Sequence, residues 1–127
     1  MKTPEISEAE WIVMEALWRR SPQTASAVAK ELQATTGWAL NTVRTLLARL
    51  ADKGALRVAE NASGVREFAP AVEREASVGM ESKTFLDRVF QGAAKPLLVH
   101  FATNSKLSKD ELRELKQLFE KELKKKA

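Results

Sequence analysis

The segment from Trp38 to Leu50, WALNTVRTLLARL, limits the fold of this chain more than any other. At about 100° per residue, Val43, Leu46, Leu47 and Leu50 fall at i, i+3, i+4 and i+7 and form one apolar stripe. Asn41, Thr45 and Ala48 lie on the opposite side, with Arg44 and Arg49 on the two edges. A solvated helix face usually alternates Glu with Lys, but here no acid occurs before Asp52. Asn, Arg and Thr hydrogen-bond base edges and phosphates, and a small Ala lets a helix approach a groove floor. By itself the segment also fits a core helix whose outer face is merely basic, so its neighbours must decide.

Those neighbours are helices on one side and a hairpin on the other. Ser7-Glu8-Ala9-Glu10 is a capping box, opening a first helix that runs to about Arg20 with Trp11, Met14, Leu17 and Trp18 as its buried stripe. Ser21-Pro22-Gln23 breaks it. Thr24 is a good N-cap for a second helix to about Thr36, with Ala25, Val28, Ala29 and Leu32 inward and Gly37 as its stop. Two helices joined by a short Gly-containing turn, the second basic on its outer face, predict a helix-turn-helix. Lys53-Gly54 ends the third helix. The alternating LRVAE (56–60), the turn Asn61-Ala62-Ser63-Gly64 and VREFA (65–69), closed by Pro70, predict a β-hairpin with its tip near Arg66. Three helices followed at once by a hairpin predict a winged helix-turn-helix.

From Glu73 the pattern returns to helices. One spans roughly Glu73 to Gln91 and carries Phe85, Leu86, Val89 and Phe90. A short one has Pro96 in its first turn and carries Leu97, Leu98, Val99 and Phe101. Ser108 to Glu111 is a second capping box, opening a last helix with Leu112, Leu115, Leu118, Phe119 and Leu123 on one side and a supporting Glu120–Lys124 pair. Such broad aromatic faces on so small a unit bury little surface alone, and pairing two copies would cover them. We therefore expect a mainly α fold with a small β-hairpin wing. Residues 1–71 would form the winged-helix domain and residues 72–127 a three-helix dimerisation region.

Composition excludes other classes. No cysteine among 127 residues removes disulfides, thiolate metal sites and thiol nucleophiles together. There is no tyrosine, one histidine, no Gly-rich phosphate loop and no carboxylate or His cluster at metal spacing. The expectation is no catalytic residue, no metal and no cofactor. Met1 is followed by Lys-Thr-Pro-Glu, so no signal peptide is expected. No apolar run approaches the ~18 residues of a membrane span, which points to a cytoplasmic protein without membrane insertion. The net charge is +4. Between Trp38 and Arg66 the cations are Arg44, Arg49, Lys53, Arg57 and Arg66 against only Asp52 and Glu60, so the positive field is local. The Lys124-Lys125-Lys126 run is read as a solvated helix end.

These residues resemble the penicillinase-repressor family of the BlaI/MecI type. The likeness rests on ISEAEWIVMEALW, on GW-x-x-NTVRTLLARL, on the KGAL after it and on ESKTFLDRVFQGAAKPLLVHF, in that order over nearly the whole chain. It implies a winged-helix repressor that binds a palindromic operator in double-stranded DNA as a homodimer. It places Asn41, Thr42, Arg44, Thr45 and Arg49 toward the bases, and Thr24, Arg57 and Arg66 on the backbone, with Lys53 grouped among these cations. Geometry agrees: Arg can be bidentate to guanine and Asn to adenine, while an Arg at a wing tip tracks phosphate or minor groove. The dimer interface would take Phe85, Leu86, Val89, Phe90, Leu97, Leu98, Phe101, Leu112, Leu115, Leu118, Phe119 and Leu123.

In the family's β-lactam circuit a membrane sensor triggers a cut in the dimerisation region at an Asn-Phe pair. The aligned residues here are His100-Phe101, so the Asn is missing. A copper-responsive branch carries a cysteine-rich motif, which this chain lacks. Ala39-Leu40 stands where relatives often have Ser-Pro. The leading function is thus a sequence-specific repressor, with antibiotic-resistance genes as the family's targets. The alternative is a winged-helix protein-interaction module without specific DNA binding, whose third helix would need an apolar or acidic outer face.

Overall fold

The computed structural model describes residues 3–104 and 106–126. Along them run α1 (Glu8–Arg19), β1 (Gln23–Thr24), α2 (Ala25–Thr36), α3 (Leu40–Asp52), β2 (Leu56–Glu60), β3 (Arg66–Pro70), α4 (Arg74–Phe90), α5 (Ala94–Asn104) and α6 (Lys109–Lys126). The architecture is mainly helical with one small antiparallel sheet, and the chain divides into two compact units, Met1–Ser82 and Lys83–Ala127.

In the first unit the local signals act as their chemistry dictates. The Glu10 N–H donates to Ser7 Oγ at 3.2 Å and the Ser7 N–H to Glu10 Oε1 at 2.8 Å, so two amides at the start of α1 are satisfied reciprocally. Thr24 Oγ1 accepts from the Ala27 N–H at 3.1 Å, and α2 stops at Gly37, whose φ of 65° suits a residue without Cβ. The α3 stripe of Val43, Leu46, Leu47 and Leu50 is wholly buried against Val13, Met14 and Leu17 of α1 and Val28 and Leu32 of α2. Trp11 and Trp18 are only half-buried at the stripe's edges, stacked edge-on with ring centroids 5.3 Å apart. Val13 and Ala16 take the central positions instead. An indole N–H requires an acceptor, and that of Trp18 finds the Val72 carbonyl at 3.0 Å.

The hairpin forms with Val58 opposite Phe68. Its turn is built by Asn61, whose Oδ1 accepts from the N–H groups of Ser63 at 2.9 Å and Val65 at 3.1 Å. β2 departs from the expected alternation: Leu56 is buried and residues 57–60 are all exposed. β2 therefore leaves the core after one inward residue, while β3 stays half-buried with Phe68 packed against the core. The sequence did not announce β1, which pairs with β3 and gives the order β1-β3-β2. Two residues are too few to show a period of 2. The buried Gln23 of β1 donates from Nε2 to the Arg20 carbonyl at 2.7 Å, meeting one of the orphan acceptors at the end of α1.

The start of α4 belongs to this unit, where Arg74 Nε meets Glu15 Oε1 at 2.6 Å and Ser77 is buried. Ser77 Oγ has no hydrogen-bond partner among the described residues. A buried unpaired hydroxyl costs on the order of 1–3 kcal/mol, and Ala is the better helix former. Ser77→Ala is expected to leave stability unchanged or raise it by ~1 kcal/mol, read from urea midpoints. A fall would show that the hydroxyl is bonded.

In the second unit the second capping box closes, Ser108 N–H to Glu111 Oε1 and Glu111 N–H to Ser108 Oγ, both at 3.1 Å. Among the described residues the ion pairs within α6 are Asp110–Arg113 and Glu122–Lys125, each at 3.4 Å, rather than Glu120–Lys124. Neither α5 nor α6 buries a single described residue. Leu98, Phe101, Leu112, Leu115, Phe119 and Leu123 instead line an apolar groove of about 380 Å³.

Candidate nucleic-acid interface

The buried stripe of α3 dictates what its other side presents. With Val43, Leu46, Leu47 and Leu50 inward, Asn41, Thr42, Arg44, Thr45, Ala48 and Arg49 are all exposed. Thr45 Oγ1 donates to the Asn41 carbonyl at 3.0 Å, which pins the hydroxyl and leaves its oxygen outward as an acceptor. α3 starts at Leu40 without a side-chain cap, the consequence of Ala39 where an oxygen-bearing residue would have served.

Beside α3 lies a cleft of about 740 Å³. It gathers Thr24 and Ser26 from the start of α2, Arg44 and Ala48 from α3, and Val58 and Arg66 from the hairpin. Three residues assigned to DNA from the sequence, Thr24, Arg44 and Arg66, thus border one concavity. Asn41, Thr42, Thr45, Arg49 and Arg57 are exposed outside it. Val58, 43% exposed, and Val65, 48% exposed, give the cleft an apolar wall that the sequence reading did not assign to the site. Alternation puts Val58 on the face of Leu56, but of β2 only Leu56 is buried and Val58 stays exposed. Asp52 and Glu60 also border the cleft and disfavour a phosphate next to them.

The cations of the first unit fall into two sets. Arg19 pairs with Glu31 at 2.9 Å, Arg20 with Glu31 at 3.9 Å, Arg74 with Glu15, and Lys53 with Glu10. Among the described residues Arg44, Arg49, Arg57 and Arg66 have no ion-pair partner, and of the rest of the unit only Lys30 on α2 shares that state. The free arginines are those of α3 and the hairpin. An unpaired exposed cation meets a phosphate without first breaking a native bond, and it releases the counterions the phosphate held.

Lys53 was grouped with the backbone-contacting cations, but its Nζ donates to the Glu10 carboxylate and to the Glu5 carbonyl, the latter at 3.0 Å. Its chain position at the end of α3 carries it back to α1, away from the outer face. Burial alone would push the Glu10 carboxyl up; the bonds from Lys53 and Ser7 outweigh this and hold it below the ordinary value. A carboxyl depressed in the folded state adds stability that is present above its unfolded pKa, about 4.3 for Glu. That stability is lost as pH falls through the lowered folded value. Glu10→Gln should therefore be less stable than the parent at neutral pH, the difference shrinking below about pH 4. Urea midpoints across pH test this, and a difference independent of pH would remove the ionised Glu10 from the account.

A helix-turn-helix with a free basic outer face, followed by a hairpin that borders the same cleft, defines a winged helix-turn-helix protein. A model of the penicillinase repressor family matches residues 6–121, and the chain belongs to that family. It is 34% identical over 119 residues to the penicillinase repressor of Bacillus licheniformis, covering 94% of this chain and 92% of that one. It is also 34% identical over 121 residues to the methicillin resistance regulatory protein MecI of Staphylococcus aureus (strain N315), covering 94% and 97%. Among solved structures, the Bacillus licheniformis BlaI monomeric form in complex with the blaP half-operator is 36% identical, with a TM-score of 0.52. That likeness covers 60% of this chain and 93% of the other. Among the described residues no group of His, Cys, Asp and Glu could hold a metal ion, and no helix is long and apolar enough to cross a membrane.

Proposed function

We propose that this chain is a sequence-specific DNA-binding transcriptional repressor that acts as a homodimer in the cytoplasm and performs no catalysis. The observation that carries this reading is the sorting of cations. Carboxylates elsewhere in the first unit neutralise the other arginines, while Arg44, Arg49, Arg57 and Arg66 are left for phosphates and bases. The interaction-module alternative requires an apolar or acidic outer face on α3, and that face carries Asn41, Arg44, Thr45 and Arg49.

In this reading α3 lies in the major groove. Asn41, Thr42, Arg44, Thr45 and Arg49 face base edges, while Thr24, Arg57 and Arg66 hold the backbone. DNA-contacting elements fall within residues 1–71 and the pairing surface within 72–127. Two copies paired through α4, α5 and α6 present two α3 helices to half-sites ~34 Å apart, so the operator is an inverted repeat. The names of the relatives support resistance to β-lactams as the regulated function. The position that aligns with the family's cut, His100-Phe101, is exposed on α5 but lacks the Asn of the cut pair, so release by proteolysis rests on the family resemblance alone.

The test is selection. The full chain is incubated with a random pool of duplex DNA at moderate salt, and the retained duplexes are sequenced. An enriched inverted repeat is expected. Retention without enrichment, vanishing as salt rises, would mean phosphate attraction only and would overturn the reading.

A further inference from the structure

We infer that Lys53 is a positioning residue that sets the placement of α3 for base recognition and touches no DNA itself, an inference that rests on the DNA-binding reading above. The apolar stripe decides which face of α3 is buried. Apolar contact is non-directional, so it adds no directional bond to hold the tilt and axial slide of the helix. At its N-terminal end α3 has no side-chain cap, because Ala39 carries no oxygen-bearing side chain.

The polar constraint sits at the other end. There the Lys53 backbone N–H donates to the Arg49 carbonyl at 3.0 Å. Its Nζ reaches the Glu5 carbonyl and Oε1 of Glu10. That same carboxylate oxygen takes the Ser7 N–H at 2.8 Å and belongs to a side chain only 3% exposed. The ammonium is therefore bound to a group that the capping box of α1 already fixes. Charge-assisted hydrogen bonds are short and directional, and an α3 that slides or tilts breaks them. Arg49, one turn before Lys53, and Arg44 before it ride on this anchored end. A bidentate base contact tolerates little displacement, so the pair acts on specificity through the two arginines.

Lys53→Met, Lys53→Arg and Glu10→Gln in the full chain separate this from a phosphate contact. Each is titrated, over a salt series, with the duplex enriched by selection and with a random duplex. Lys53→Met and Glu10→Gln are both expected to lose roughly tenfold in preference for the selected duplex, the value of one good base contact. Random-duplex affinity and salt slope should be unchanged, and Lys53→Arg should recover most of the loss. If Lys53→Met weakened both duplexes and lowered the slope by about one while Glu10→Gln did not, Lys53 would be a phosphate contact and the inference would fall. Unchanged preference in both variants would overturn it as well. Should Lys53→Met not fold, Glu10→Gln alone decides, since it removes the carboxylate charge from the ammonium that a phosphate contact would use. Amide exchange without DNA separates this inference from the function itself. Faster exchange at residues 49–53 in the variants, with α2 unchanged, is expected even if the parent preferred no duplex. Unchanged exchange there would refute the anchor.

Discussion

Arg44→Ala is expected to weaken binding to the selected duplex by ~1–3 kcal/mol and to relax the base preference at one position per half-site. Arg44 combines what base reading requires: exposure on the outer face of α3, no native ion pair, and a place on the cleft that also holds Thr24 and Arg66. A guanidinium can bond guanine at two atoms in one plane, which a methyl cannot replace. Arg66→Ala supplies the contrast. It stands at the start of β3, beside the hairpin turn, and is expected to weaken selected and random duplexes alike and to lower the salt slope by about one. Isotherms on both duplexes over a salt series read the two effects. Arg44 and Arg66 variants that changed neither preference nor slope would remove α3 and the hairpin from the interface.

If the chain pairs as proposed, Leu118→Glu is expected to convert the dimer into a monomer and to lower affinity for the inverted repeat by 10²-fold or more. The reason is that α5 and α6 bury none of their described residues. Within one chain Leu118 is 55% exposed, Phe119 52% and Leu123 71%, and a charge at so open a position changes a monomer's stability by about 0.5 kcal/mol or less. Facing a second copy, the same charge would be desolvated without a partner, at a cost of several kcal/mol. Sedimentation at micromolar concentration reads the oligomeric state and circular dichroism checks that helix content is kept. Affinity for a single half-site should be preserved, since no DNA-contacting element is touched. A parent chain that sedimented as a monomer would refute the pairing surface.

Much of the chain's local structure was legible because its signals are local. The face of α3 follows from a period of 3.6. Both capping boxes follow from side chains three residues apart, and the Asn61 turn from a side chain bonding its own backbone. Lys53 could not be read this way. Its charge placed it among the DNA-facing cations, and its partners lie at Glu5 and Glu10, far away in the chain. Val58 shows the same limit: alternation says that successive residues of a strand face opposite ways, not that the core reaches every position on one face.

The sequence by itself determined where helices and hairpin begin and end, which stripe of each helix is apolar, and which residues remain for the outer face of α3. Only the tertiary structure decided which cations are free. Pairing depends on distances between residues remote in the chain: Arg19 meets Glu31, Arg74 meets Glu15 and Lys53 meets Glu10 only once α1, α2, α3 and α4 have packed. Packing likewise set the two-residue β1 against β3 and left β2 exposed beyond Leu56. Periodicity and capping are properties of a few consecutive residues, whereas burial and ion pairing belong to the space between elements.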